Sequence, residues 1–154
     1  MIHLERKLAM EIKIISSNKK NFMDLLLLAD EQEDMIEKYL DRGTLFALYD
    51  EGLRSICVVT GEENGAFEIQ SLATYEQFQG KGYATQLVKH VLERYKGKGT
   101  VMYVGTVDSL VPFYEHCGFT LSHRLENYFI EHYREPMFED GVQLKDKVYL
   151  KQSL

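Results

Sequence analysis

The chain has 154 residues, 45% of them hydrophobic, 27% charged and 12% aromatic, which suits one domain with its own core and excludes collagen-like, low-complexity and disordered classes. Eighteen basic residues stand against 24 acidic ones for a net charge of -6, with no Lys/Arg block, which argues against nucleic acid as a partner. The longest apolar run, Leu25 to Ala29, is far shorter than the roughly 20 residues that a bilayer span needs, so no membrane partner is expected. No signal-peptide pattern is read at the N-terminus, and the expected compartment is the cytoplasm. Cys57 and Cys117 make neither a disulfide framework nor a zinc site, and His3, His90, His116, His123 and His132 lack paired ligand spacing, so no metal is expected.

In chain order, Glu11 to Ile15 reads as a strand. Asn21 before Asp24, and Asp30 before Glu33, have the spacing of helix starts, so helices are expected over about Phe22 to Leu28 and Glu31 to Arg42. The second repeats Met35, Ile36, Tyr39 and Leu40 at helical spacing, with Gly43 where a left-handed terminal residue is wanted. A three-stranded meander follows: Leu45 to Tyr49, Leu53 to Thr60 and Ala66 to Thr74, with turns at Asp50-Glu51-Gly52 and Asn64-Gly65. Ala84, Leu87, Val88, Val91, Leu92 and Tyr95 recur at three and four, which predicts an amphipathic helix over Tyr83 to Lys96. Thr100 to Thr106 reads as a strand, Leu110 to Cys117 as a short helix, Phe119 to Leu125 as a strand, and Val142 to Leu150 as a last strand after an irregular aromatic stretch. The order β-α-α-β-β-β-α-β-α-β-β predicts an α/β (α+β) domain over residues 1–154. Its core is expected over about 10–150: a mixed, largely antiparallel sheet flanked by helices, with one parallel crossover from Ala66–Thr74 to Thr100–Thr106.

The turn Gln77-Phe78-Gln79-Gly80-Lys81-Gly82 carries the reading of function. It joins a buried strand to a helix, an arrangement that aims free N–H groups at an anion, and the glycines let backbone approach a phosphate. Tyr75 stands where a Walker A loop needs glycine, and Thr85 where a dinucleotide fingerprint needs one. A glycine turn with no ligand has the same sequence, so the turn alone leaves both readings open.

Gln77-x-x-Gly80-x-Gly82-x-Ala84 after Leu72-Ala73-Thr74, with Phe113-Tyr114-x-x-x-Gly118-Phe119 downstream, resembles the GNAT superfamily of N-acetyltransferases. The resemblance implies acetyl-CoA as cosubstrate. Its pyrophosphate would lie on the amides of Gln77, Phe78, Gln79, Gly80, Lys81, Gly82, Tyr83, Ala84 and Thr85, and its pantetheine arm along Leu72, Ala73 and Thr74, near Phe113. It also implies that Tyr114 stands beside the thioester sulfur, where a phenol protonates the departing thiolate, and that Glu68 is the general base, directly or through a water. Strand alternation alone puts residues 68, 70, 72 and 74 on one face. Many members carry an asparagine seven residues before the tyrosine; here Val107 stands there, and the following Asp108 and Ser109 either contact the cofactor arm or cap the short helix.

The expected reaction is acetyl transfer to a primary amine of a small molecule. The alternatives are a protein N-terminus or lysine as acceptor, or a module that binds acyl-CoA without turnover. The aromatic segment from Glu126 to Gly141 is expected to line an acceptor pocket, cover the core or form a homodimer interface.

Overall fold

The computed structural model describes residues 10–154; His3 lies outside them. Seven strands form one sheet in the order β1-β2-β3-β4-β5-β9-β6, with β1 Glu11–Ile15, β2 Thr44–Tyr49, β3 Leu53–Gly61, β4 Ala66–Thr74, β5 Val101–Thr106, β6 Thr120–Leu125 and β9 Lys147–Ser153. Every neighbouring pair is antiparallel except β4 with β5, the expected crossover. The remaining strands, β7 Phe138–Glu139 and β8 Val142–Gln143, form a separate two-stranded ribbon.

Apolar runs in β2 and β3 demand cover on both faces, and each face has it. On one side α3 (Tyr83–Tyr95) and α4 (Val111–His116) bring Leu87, Val88, Val91 and Tyr114 onto Phe46, Leu48, Cys57, Val59, Ile69, Met102 and Val104. On the other, α1 (Met23–Ala29) and α2 (Glu33–Leu40) bring Leu25, Leu26, Ile36, Tyr39 and Leu40 onto Leu45, Ala47, Ile56, Val58 and Ala73. Each fully buried leucine or isoleucine stabilises by about 1.5–3 kcal/mol relative to an exposed one.

Three expectations are corrected. The last strand is Lys147–Ser153, because Val142–Gln143 is taken by the ribbon with Phe138–Glu139, and the stretch before it holds a short helix, α5 (Tyr128–His132). Gly43 does not need left-handed backbone. Its N–H closes α2 onto Tyr39 O at 2.9 Å, and a Cβ there would meet Val58 Cγ1 at 2.6 Å, so close packing is the reason for glycine. The third correction concerns β4. Val58 pairs with Ser71 but Val59 pairs with Ile69, so Gln70 is the extra residue of a β-bulge. The bulge reverses the alternation: Ser71 and Ala73 share the face of Glu68, while Leu72 and Thr74 lie on the α3 face, as the bond between the Ser55 and Thr74 hydroxyls shows.

Candidate active site

The parallel ladder of β4 and β5 runs from Ala66 with Val101 to Ile69 with Val104 and stops there. Beyond it the strands part. Backbone groups of Gln70 to Thr74 that do not face β3 are left without a sheet partner, and this side of β4 lines a cleft whose opposite wall is Val104 to Val107. The cleft has a volume of about 1020 Å³, at the upper end of the range typical of small-ligand sites.

The glycine turn forms one end of this cleft. Gly80 has φ 77° and Gly82 φ 86°, left-handed backbone that favours glycine, and a Cβ at either would meet nothing within 4 Å. Space is therefore open on the side where a ligand would approach. The first backbone bond that α3 makes to Gly82 O comes from Gln86 N, at 3.0 Å, so the amides of Tyr83, Ala84 and Thr85 have no partner within the helix. The helix start is held in place by the Tyr83 hydroxyl, which donates to Asp50 at 2.6 Å, and by the Gln79 side chain, which donates to Thr74 O at 3.2 Å. Phe78, Gln79, Gly80, Gly82, Tyr83, Ala84 and Thr85 line the cleft, whereas Gln77 and Lys81 do not. Arg54, which sequence reasoning missed, stacks its guanidinium 3.7 Å from the Phe78 ring centre.

Leu72, Ala73 and Thr74 line the cleft, as do Val107 and Phe113. Asp108 and Ser109 do not. Asp108 is drawn into an ion pair with Arg124 at 2.7 Å, the Ser109 hydroxyl donates to Glu139 at 2.6 Å, and neither caps the short helix. The capping role is therefore corrected, and both side chains are committed to partners outside the cleft lining.

Tyr114 lines the cleft from α4 and is only 6% exposed, wedged edge-on between Phe113 and Phe119 at ring separations of 5.0 and 5.8 Å. Burial, with smaller contributions from Cys57 and Cys117, pushes its phenol above the ordinary range. It stays protonated at neutral pH and can give a proton to an anion formed beside it. Cys117 is half-buried and its thiol is pushed up by burial, the opposite of an activated nucleophile.

Glu68 does not line the cleft, whereas Lys147 does. The Tyr149 hydroxyl donates to Glu68 Oε2 at 3.3 Å. Burial raises the Glu68 carboxyl above its ordinary value, Glu62 adds to this, and Lys147, the Tyr149 hydroxyl and Arg42 oppose it. A second half-buried carboxylate, Asp30, lies in the wall itself and accepts the Tyr133 hydroxyl at 3.0 Å on both oxygens. Burial raises its carboxyl too. Asp30 was read from sequence as a helix-start residue, and its Oδ1 does accept Gln32 N at 3.2 Å, but no sequence signal marked it as a cleft group. Tyr128, Phe129, Tyr133 and Phe138 also line the cleft, so the aromatic segment forms its wall. His123 stacks on Tyr149 and His132 on Tyr128, each buttressing a ring from outside the lining. No metal-binding cluster occurs among the described residues.

The acetyltransferase (GNAT) domain model matches residues 41–121. The chain belongs to the GNAT family of acetyltransferases. An uncharacterized N-acetyltransferase of Bacillus subtilis (strain 168), YvbK, is 32% identical over 146 residues, 92% of this chain and 94% of that protein. A GNAT family acetyltransferase of Elizabethkingia anophelis with acetyl-CoA bound superposes with a TM-score of 0.89 at 28% identity, covering 95% of this chain and 99% of that one. A B. subtilis acetyltransferase in complex with CoA gives 0.86 at 31% identity, covering 94% and 99%. The GNAT chain described here is accordingly an N-acetyltransferase. No helix among its described residues is long and apolar enough to cross a membrane.

Proposed function

We propose that the protein transfers the acetyl group of acetyl-CoA to a primary amine of a small molecule by direct attack on the thioester. The observation that carries this reading is the parting of β4 and β5 after Ile69 and Val104. It joins the amide cradle at Gly80 to Thr85 with the hydroxyl-bearing wall at Tyr114 in one cleft. The pyrophosphate would rest on the free amides of Tyr83, Ala84 and Thr85, and the pantetheine arm would take the unpaired edge of β4 from Gln70 to Thr74. The acetyl-CoA held by the E. anophelis relative supports the same donor here.

In the reaction the amine nitrogen forms a bond to the thioester carbonyl carbon and the C–S bond breaks. The departing thiolate takes a proton from Tyr114. The proton of the attacking amine passes to Glu68 through water, since Glu68 is not among the residues that line the cleft. An ammonium substrate gives one proton to solvent in the net reaction. A small acceptor is favoured over a polypeptide by the way the acceptor side is closed. Tyr133 is bonded to Asp30, and Arg134 pairs with Asp34 at 2.7 Å, so the segment after β6 is tied down to the start of α2.

The test is a thiol-release assay with acetyl-CoA over amines, amino acids, polyamines, aminoglycosides and peptides. Turnover with small amines and none with peptides is expected. Tyr114→Phe should lower kcat by about 10²- to 10⁴-fold, the usual range for an acid–base group, while leaving acetyl-CoA affinity unchanged. Full kcat in that variant across pH refutes the general-acid role.

A further inference from the structure

We infer that Lys147 anchors a carboxylate on the acceptor, so that the substrate is an α-amino acid with an aromatic or large apolar side chain. This rests on the small-molecule reading above and narrows it.

Lys147 opens β9 and lines the cleft, yet it is absent from the ion pairs of the described residues. Its ammonium lies instead over two phenol rings, 4.6 Å from the centre of Tyr128 and 5.2 Å from that of Tyr149. The placement is built into the sheet. Gly105, opposite Tyr149 in the ladder, leaves the space that the lysine stem crosses, and a Cβ there would collide with Lys147 Cε. A cation fixed in a ligand cleft without a protein carboxylate at ion-pair distance is a binding group for an anion of the ligand.

Three further groups complete the match. Asp30 lies in the same wall and suits the ammonium end of an amino acid. The Ser71 and Tyr39 side chains line the same cleft, 3% and 7% exposed, with their buried hydroxyls close to each other and bonded to no third group. Asp30 and Glu68 act on Lys147 through space without closing an ion pair with it, so a ligand ammonium and a ligand carboxylate would each meet an opposite charge in this wall. The walls of Tyr128, Phe129, Tyr133 and Phe138 take an apolar or aromatic side chain. A simple amine would leave Lys147 with only the through-space attraction of Glu68 and Asp30, against burial that pushes its ammonium down.

The full chain, saturated with acetyl-CoA, is assayed with phenylalanine, tyrosine, leucine and methionine, each against its decarboxylated amine. Calorimetry in the presence of CoA compares N-acetylphenylalanine with N-acetylphenethylamine. Wild type should favour the amino acids by tenfold or more in kcat/KM and bind N-acetylphenylalanine at least tenfold more tightly. Because Lys147 also lowers the Glu68 carboxyl, the variants are compared on the pH plateau above the acid limb. There Lys147→Met should raise KM for the amino acids by about 10- to 100-fold, keep kcat within about threefold and leave KM for the decarboxylated amines unchanged, with Lys147→Arg restoring most of the loss. Equal use of both acceptor series, equal binding of the two acetylated products, or a Lys147→Met loss shared by both series overturns the inference. Turnover of amines that lack a carboxylate, without preference, would overturn it while leaving the acetyltransferase reading in place. No thiol release with any acceptor would count against that reading, and the binding comparison would then decide the role of Lys147.

Discussion

Glu68 and Tyr114 are both pushed toward their protonated forms by burial, and the proposed reaction would use that push in opposite senses. A raised phenol remains an acid through neutral and alkaline pH, so Tyr114 imposes no alkaline limb below the ordinary tyrosine range. A raised carboxyl is a base only above its own elevated value, so the acid limb of kcat/KM should lie above pH 4.5, the ordinary Glu value. Glu68→Gln should lower kcat by about 10²- to 10⁴-fold and remove that limb, with acetyl-CoA affinity unchanged. The sign of the linked stability effect separates chemistry from folding. A carboxyl raised in the folded state favours folding at low pH and loses that advantage as pH rises through its folded value. The Gln variant should therefore melt no lower than wild type at pH 7, and a lower melting temperature would assign the activity loss to structure. At this scale the sequence was informative about residue type and weak about orientation. Glu68 was found on β4, but its bond from Tyr149 and the influence of Lys147 come from β9, about 80 residues away, which no local pattern encodes.

At the level of single elements, the cradle was legible because glycine at 80 and 82 followed by an amphipathic stretch is a local signal. The β4 bulge was not. It is defined by register against β3, and Phe67 to Ala73 reads equally well with or without an extra residue. The bulge places Ser71 and Ala73 on the face of Glu68 and turns Leu72 and Thr74 toward α3, so one inserted residue changes which side chains each face presents. The two ends of α3 give a controlled test of the cradle. Gly82 at its start and Gly97 just after its end have φ of 86° and 78°, and an added Cβ at either meets nothing within 4 Å. Left-handed backbone at a non-glycine residue costs about 1–2 kcal/mol in both places. Gly82→Val should in addition weaken acetyl-CoA binding by tenfold or more in calorimetry, while Gly97→Ala should leave it unchanged. Equal effects on affinity would mean that the turn is structural only.

Taken as a whole, the molecule is a sheet held between two cores, with the candidate site where the sheet splits. The split is sustained from both sides. α3 and α4 pack under β5 on one face, and α5 with the segment to Phe138 closes the other through Tyr133 and Asp30. Element order and the parallel crossover could be read from the chain because each strand and helix carries its own periodicity. The last strand slipped because Val142 and Gln143 have strand character that a two-residue ribbon absorbs, which moved Lys147 from mid-strand to the rim of the cleft. A donor bridging the cradle and both walls of the split should stabilise the entire sheet. At about 100 times its dissociation constant, acetyl-CoA would contribute about 2.7 kcal/mol, a rise of about 5–11 °C in Tm for a domain of this size. Tyr114→Phe should keep that shift, since it loses a proton donor and no binding surface, and Gly82→Val should lose most of it. A shift that survives Gly82→Val but vanishes in Tyr114→Phe would place the donor's main contacts at α4 and overturn the assignment of the pyrophosphate to the start of α3.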